Sequence, residues 1–574
     1  TRPPVLTRPP ARRLVVLLTV MVVALAGIVV RLGVLQVRRA GSFTAMGEEQ
    51  RNRTNALTAL RGDILDRNGV PLAMTLEARD IYADPRFVTD PTAEAEQIAP
   101  VLGLDVAEIR TALESEGTFA FLERHVDLDV AQRLEDLGLP GIGFLPSLTR
   151  HYPSGPLASQ ILGFVGVDGI GLAGLEEHYE TLLAGTPGTR TVEVSAQGQE
   201  IAGGLEVASA PVPGTDLVLS IDRELQYRAQ ESLRAAVEAN RAKGGTVIVM
   251  DPRTGDILAM TSYPWFDPNS FAASPAANRP NRAVTATWEP GSVNKVITAA
   301  AALESGAVSL TETFSVPAVR NVDGFAIHDA HTHPVERMTL ADIIVESSNV
   351  GSTMVADEVG SERLAAAFAR FGYGQPTGVG FPGEAAGLMP ELSRWTDLTR
   401  ATISFGAGVA VTPLQMAAVY ATIANGGTWV QPRLVSGTVA PDGSVRPVDP
   451  SPTREVLRPS TARTLTQMLA KVVEEGTGEN ARIHGFQVAG KTGTAKKLDD
   501  HGRYVNRYVA SFIGFLPASR PRVVVAAILD EPRTVYGGVA AAPLFRDVAR
   551  FAIQRLRIEP APDVELPGYA TALP

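Results

Sequence analysis

Three short motifs, Ser292-Val-Asn-Lys295, Ser347-Ser-Asn349 and Lys491-Thr-Gly-Thr494, carry the residue types of acyl transfer through a serine, with lysine as the base. Each is weak alone: S-x-x-K recurs by chance, most S-x-N triplets are ordinary turns, and K-T-G is common in loops. Their order and their separations of 55 and 144 residues suit three elements converging on one cleft. Lysine usage adds a second reason. Of 52 Lys and Arg residues only six are lysine (Lys243, Lys295, Lys471, Lys491, Lys496 and Lys497), and two of those stand inside the motifs. Arginine keeps its proton at any relevant pH, whereas burial and a neighbouring cation bring lysine from about 10.4 towards roughly 7 to 8. A chain that writes arginine almost everywhere keeps lysine where a proton has to leave.

The elements around the motifs must bring them together. Ser292 follows Pro290-Gly291 and precedes an alanine-rich run to Gly306, which predicts a buried helix with Ser292 on its first turn. Residues three apart share a helix face, so the Lys295 amine is expected within hydrogen-bond reach of the Ser292 hydroxyl. Thr339-Leu-Ala-Asp342 opens a helix ahead of Ser347 and Asn349, which fall on a loop before the next helical stretch. There the Ser347 hydroxyl can relay a proton, and the Asn349 amide offers a donor and an acceptor. Phe486 to Ala495 reads as a strand on which Gly490 and Gly493 let a substrate backbone lie close. Backbone N–H groups of Ser292 and Thr494 are the expected oxyanion hole. Lys491 is expected to stay charged, to attract a substrate carboxylate and to disfavour the proton on Lys295. His328, Asp329, His331 and His333 are metal-ligand types, but no second ligand cluster accompanies them, so a solvated loop is expected and no metal.

A net charge of −10 gives no reason to expect nucleic acid, and the absence of cysteine excludes disulfides and thiol nucleophiles. Leu14 to Val30 is a run of 17 residues without a charge, and after Arg31 the segment continues apolar to Leu35. With the arginine snorkelling, that is enough to cross a bilayer core of about 30 Å. Arg2, Arg8, Arg12 and Arg13 precede it with no acidic residue among them, so the amino terminus is expected in the cytoplasm and the bulk of the chain outside it. A cleaved signal peptide competes, since Ala24-Leu25-Ala26 has a small-x-small pattern, but apolar residues continue past it.

From Arg38 to Pro213 the chain reads as mixed α+β. Asp105-Val-Ala-Glu108 and Asp129-Val-Ala-Gln132 look like capping boxes, Asn68-Gly69 is a turn signal, and Asp66 and Arg67 are expected in fixed ion pairs. From Gly214, hairpins at Gly245–Met250 with Asp256–Thr261 and at Tyr508–Leu516 with Arg522–Leu529 bracket helical stretches, one opened by Thr412-Pro-Leu-Gln415. The fold class expected is α+β, an antiparallel sheet flanked by helices. The expected boundaries are a cytoplasmic tail 1–13, a transmembrane helix 14–37, a pedestal 38–213, a catalytic domain 214–557 and a disordered tail 558–574.

At this point the chain resembles the class B penicillin-binding proteins, D,D-transpeptidases of bacterial cell-wall synthesis. Beyond the three motifs, Arg61-Gly-Asp-Ile-Leu-Asp-Arg-Asn-Gly69, Tyr152-Pro-Ser-Gly155, Leu162-Gly-Phe-Val-Gly166, Gly174-Leu-Glu-Glu-His-Tyr179 and Val411-Thr-Pro-Leu-Gln415 look like the family's pedestal and core signatures. The resemblance runs from the membrane segment to about Leu556. It implies a single-pass cell-membrane protein with an elongated pedestal and a penicillin-binding transpeptidase fold. Ser292 is then the acylated nucleophile, Lys295 its base, Ser347 and Asn349 the second motif, and Lys491, Thr492, Gly493 and Thr494 the third. Ser348 replaces an aspartate common in many relatives, at a position that varies between subgroups. The implied substrates are peptidoglycan stem peptides ending in D-Ala-D-Ala, with β-lactams trapping Ser292 and no cofactor. No glycosyltransferase domain is read before Pro213, so polymerisation is expected from a partner, a polytopic glycosyltransferase of the SEDS type among other divisome membrane proteins. Gly163-Phe-Val-Gly-Val-Asp168 and Gly351 look most like the septal division transpeptidase. The alternatives are the elongation enzyme and a non-catalytic activator of the polymerase. A β-lactamase or β-lactam sensor shares the motifs but needs an extra base for water, and no residue reads as one.

Overall fold

Seventeen uncharged residues cannot be hidden in a small domain, and the chain does not hide them. In the computed structural model, which describes residues 11–38, 41, 47, 51–195, 200–204, 206–440, 442–499 and 501–567, Ala11–Gly33 is a helix with no buried residue, continued by a wider turn to Arg38. Among the described residues this is the one helix long and apolar enough to cross a membrane. Arg2 and Arg8 lie outside the described residues. The helix belongs to a unit made of Thr1–Ala59 and Thr186–Val212, in which Asn52–Leu57, Gly188–Glu193 and Glu206–Ser209 form an antiparallel sheet.

The second unit takes Leu60–Gly185 and Pro213 onward. In its first part, strand Pro71–Ala83 pairs antiparallel with Ala120–Asp127 and Ile142–His151, and helices Pro91–Leu102, Val106–Leu113 and Leu128–Glu135 close a core around Ile81, Ile98, Ile109 and Leu134. Ile64–Leu65 continues this sheet to Leu217–Leu219 and Val435–Val439, so one sheet joins strands from both sides of residue 213. Asp105 caps its helix, accepting from the Ala107 N–H, but among the described residues Glu108 makes no return bond, so the expected box is half formed. Asp129 does not cap its helix: the helix starts at Leu128 with Asp127 in the cap position, because strand Ala120–Asp127 runs straight into it. Nor, among the described residues, does either Asp66 or Arg67 form the expected ion pair; Asp66 is held by hydrogen bonds instead. Its carboxylate accepts from the N–H groups of Asn68, Val70 and Arg223, and the buried ion pair is made by Arg61 with Glu176, at 2.7 Å.

The central sheet of the second unit and its helices are, in chain order, α1 (Arg223–Asn240), β1 (Gly244–Met250), β2 (Ile257–Tyr263), α2 (Lys295–Ser305), α3 (Leu340–Val345), α4 (Asn349–Val359), α5 (Asp397–Ser404), α6 (Pro413–Ala424), α7 (Pro459–Glu475), β3 (Ala489–Leu498), β4 (Tyr504–Leu516), β5 (Val523–Asp530) and α8 (Gly537–Arg555). The sheet is antiparallel throughout, in the order β2-β1-β5-β4-β3. Alternate side chains serve opposite faces: Val247, Val249, Val525 and Leu529 pack with Leu233, Leu544 and Phe545 of α1 and α8, whereas Ile248, Met250, Val524 and Ala526 pack with the core that contains α2 and α6. Both faces are covered, which is why these strands read as continuous apolar runs. Thr339 with Asp342 and Thr412 with Gln415 form reciprocal capping boxes that fix where α3 and α6 begin. The tail is not disordered as far as Pro567: Val564 exchanges two hydrogen bonds with Gln487, Leu566 packs on the core, and the buried Lys471 amine donates to the Pro567 carbonyl at 2.5 Å. Its apolar residues find a partner surface that nothing local announces.

Candidate active site

Ser292 lies on a tight 3-10 turn, Gly291–Asn294, that feeds directly into α2. The turn is held from below by long-range bonds. Asn294 donates to the Ile403 carbonyl in α5 at 2.9 Å and accepts from the Tyr373 hydroxyl, while Tyr420 of α6 donates to the Val293 carbonyl at 2.9 Å. Gly291 donates to the Gly406 carbonyl at 3.1 Å, and at φ +85° Gly406 approaches so closely that any Cβ there would strike the Gly291 backbone. Sequence reasoning missed all of these supports, which pair residues about 80 to 130 positions apart.

Lys295 opens α2 and is fully buried. Its amine donates to Asn349 Oδ1 at 2.8 Å and to the Ser347 carbonyl, with the Ser347 hydroxyl at 3.3 Å. The first and second motifs are thus joined through the lysine. The expected hydrogen bond from Ser292 to Lys295 is not formed among the described residues, because oxygens of the second motif surround the amine instead. The arrangement still suits a base. A neutral amine has two N–H donors, which the Ser347 carbonyl and Asn349 Oδ1 accept, and one lone pair left to receive a proton; the Ser347 hydroxyl can donate to it. Ser347 itself sits at φ +62°, a strained conformation for a serine.

The second motif is anchored by Asp329, whose side chain is 7% exposed. It accepts from the Ser348 hydroxyl at 2.7 Å, from the N–H groups of Asn349 and Val350 at the start of α4, and faces His333 Nε2 at 3.1 Å. Ser348 in turn caps α4 by accepting from the Gly351 N–H at 2.8 Å. The loop expected to be solvated therefore contributes a buried carboxylate, and among the described residues no group of His, Asp and Glu could hold a metal ion. The signal that could have found it was the lone aspartate among histidines just ahead of the second motif.

β3 is the edge strand, so one row of its backbone groups has no strand partner. It runs beside the nucleophile turn: a Cβ on Gly493 would lie 3.0 Å from Val293 Cγ1 and 3.2 Å from the Pro290 carbonyl. Behind it the first residue of α8 presses on the same glycine, and a Cβ on Gly537 would collide with the Gly493 carbonyl. The Gly537 N–H donates to Thr494 Oγ1 at 3.3 Å. Thr492 Oγ1 lies 2.8 Å from the Thr477 hydroxyl and 3.3 Å from the Lys491 amine. All eight motif residues thus gather around one turn, one helix start and one strand edge. A cavity of about 740 Å³ lined by Trp288, Glu289, Ala495 and Lys496 adjoins the turn, and Glu289 accepts from Tyr504 at 2.9 Å and from the Gly408 N–H at 2.7 Å.

Burial pushes the Lys295 pKa well below the usual lysine value; the Lys491 charge adds to this and Asp329 opposes it. Lys491 is also fully buried, and burial brings it down to about 7 against the pull of Glu346. Near neutrality it is therefore not the fully charged residue expected, since among the described residues no carboxylate lies within ion-pair distance to offset its desolvation. Two buried lysines that cannot comfortably both carry a proton leave one amine free to act as a base.

This fold is that of a serine acyltransferase of the penicillin-binding kind. Residues 245–550 match the penicillin-binding protein transpeptidase domain and residues 56–219 the penicillin-binding protein dimerisation domain. The chain is 36% identical to penicillin-binding protein PbpB of Mycolicibacterium smegmatis, over 88% of this chain and 84% of that one. It is likewise 36% identical to the peptidoglycan D,D-transpeptidase FtsI of Escherichia coli, over 87% and 84%. The crystal structure of penicillin-binding protein 3 from Mycobacterium tuberculosis in complex with aztreonam superposes with a TM-score of 0.71 at 33% identity, covering 90% of this chain and all of that one. The chain belongs to the class B penicillin-binding proteins.

Proposed function

We propose that this protein is a peptidoglycan D,D-transpeptidase that cross-links stem peptides through an acyl-enzyme on Ser292. The observation that carries the reading is the buried Lys295 amine, tied to Ser347 and Asn349 and one helical turn from Ser292. Ser292 passes its proton to Lys295, directly or through the Ser347 hydroxyl, as its oxygen attacks the penultimate D-alanine carbonyl. Charge on the tetrahedral oxygen is met by the backbone N–H groups of Ser292 and Thr494, an effect worth about 3 to 4 kcal/mol per donor. The C–N bond then breaks, the departing D-alanine takes the proton back through Ser347, and an ester remains. An acceptor amine attacks that ester and gives its proton to Lys295; the ester C–O bond breaks as the new C–N bond is kept, and Lys295 returns the proton to the Ser292 oxygen. Asn349 orients the peptide, while Lys491, Thr492, Gly493 and Thr494 bind the substrate backbone and carboxylate.

The domain plan we infer is a cytoplasmic 1–13, a membrane-spanning 14–37, a pedestal 38–213, a transpeptidase domain 214–557 outside the cytoplasm, and a tail 558–574. The division machinery is the site of action, with a polytopic glycan polymerase of the SEDS type as partner. The pedestal and second-motif sequences support that choice over elongation, as does similarity to the relative named FtsI. Fluorescent penicillin should label the purified protein, and Ser292→Ala should abolish labelling while the melting temperature holds. Labelling that survives the substitution would remove Ser292 from the mechanism.

A further inference from the structure

On the sheet face opposite α2, α1 and α8 pack against each other, and a groove of about 920 Å³ is lined by their outer surfaces and by Pro153, Ser154 and Leu157. α8 contributes Asp547, Arg550, Phe551 and Gln554, the spacing of one helix stripe, and α1 contributes Arg223, Glu224, Tyr227 and Arg228. The two carboxylates are already engaged from outside the groove, Glu224 by Arg555 at 3.1 Å and Asp547 by Arg546 at 3.8 Å. Arg223, Arg228 and Arg550 are exposed, and among the described residues none has a carboxylate partner. Tyr227 is 60% exposed. A chain of net charge −10 thus gathers three guanidinium groups without a carboxylate partner and two aromatic rings around one concavity that no catalytic-motif residue lines.

We propose that this groove docks an acidic, partly apolar segment of a partner protein. Carboxylates of that segment pair with Arg223, Arg228 and Arg550, and an apolar side chain lies against Tyr227 and Phe551. Guanidinium forks match carboxylates two bonds at a time, and Arg and Tyr are the residue types that dominate binding energy at protein interfaces. The volume is at the upper end for small ligands and is flanked by two helices, which suits a peptide. A flat anionic membrane would use the charges but neither the concavity nor the rings.

The test uses the full chain in neutral detergent micelles and a fluorescein-labelled peptide of alternating glutamate and leucine, followed by anisotropy. Saturable binding is expected, weakened at least about tenfold by Arg223→Glu with Arg550→Glu, and weakened by added salt. Penicillin labelling of Ser292 in the variant reports that it is folded; should charge reversal unfold it, Arg223→Gln with Arg550→Gln gives the same comparison. The proposal fails if no saturable binding occurs below about 1 mM, if the charge-reversed protein binds equally well, or if a glutamine–leucine peptide binds as tightly. It also fails if phosphatidylglycerol vesicles bind in an arginine-dependent way while the peptide does not, which would assign the groove to lipid.

Discussion

In the pedestal part of the second unit, Arg61 and Arg150 share Glu176, with side-chain exposures of 7%, 5% and 0%. In the cleft, Lys295 and Lys491 are each fully buried, and among the described residues no carboxylate lies within ion-pair distance of either. Both regions place two basic side chains out of water. Burial works against the charge on Arg61, yet Glu176 and Glu180 hold its pKa above the ordinary arginine value, whereas both lysines fall below theirs. The Tyr152 hydroxyl, 3.3 Å from Glu176, completes a cluster in which protons stay put. Paired arginine serves architecture; unpaired lysine is left ready to exchange a proton.

The comparison is broken most severely by Lys295→Arg, which installs a permanent charge where a base is needed. Acylation by penicillin should slow by about 10²- to 10⁴-fold per folded molecule, with a lowered melting temperature because the guanidinium is buried without a carboxylate partner, and a folded-fraction rate within threefold of the parent would remove Lys295 as the base. Next in size, Glu176→Gln leaves the buried guanidinium groups uncompensated and should destabilise the protein by about 3 to 5 kcal/mol, read from denaturant unfolding. Its folded fraction should acylate at the parent rate, since the cluster takes no part in chemistry. The finest test is the pH profile of acylation. The rate should rise as Lys295 loses its proton on the acid side and fall above about 7, where Lys491 loses the charge that attracts a carboxylate. The two limbs belong to the coupled pair rather than to either lysine alone. Lys491→Arg should erase the alkaline limb. Asp329→Asn removes a charge that favours the protonated amine, so the acid limb should move to lower pH.

What could be read in the sequence was local. The boxes at Thr339 and Thr412, the two hairpins and the three motifs are each complete within a few residues, and physical rules on cap chemistry and strand alternation reach them. What could not be read depends on distant partners. Tyr373, Ile403, Gly406 and Tyr420 position the nucleophile turn from elements that share no sequence pattern with it. Asp329 looked like part of a polar loop, because nothing at residues 328–333 reveals that α4 begins at its carboxylate. The missing Ser292–Lys295 bond has a similar origin, since helix periodicity placed the two residues together but could not foresee the oxygens that Ser347 and Asn349 bring to the amine. Arg67 was a reasonable candidate for an ion pair, and Arg61 is the residue whose geometry met Glu176.

The strap formed by residues up to Pro567 bears on how this protein can be handled. Shortening the chain after Ile558 would strip Val564 from Gln487 and take an acceptor from the amine of Lys471, which sits in the helix packed against β3. A reporter or affinity label fused there would loosen the back of the third motif, and lost penicillin labelling could then be misread as damage to the serine. Attachment points beyond Pro567 leave that support in place.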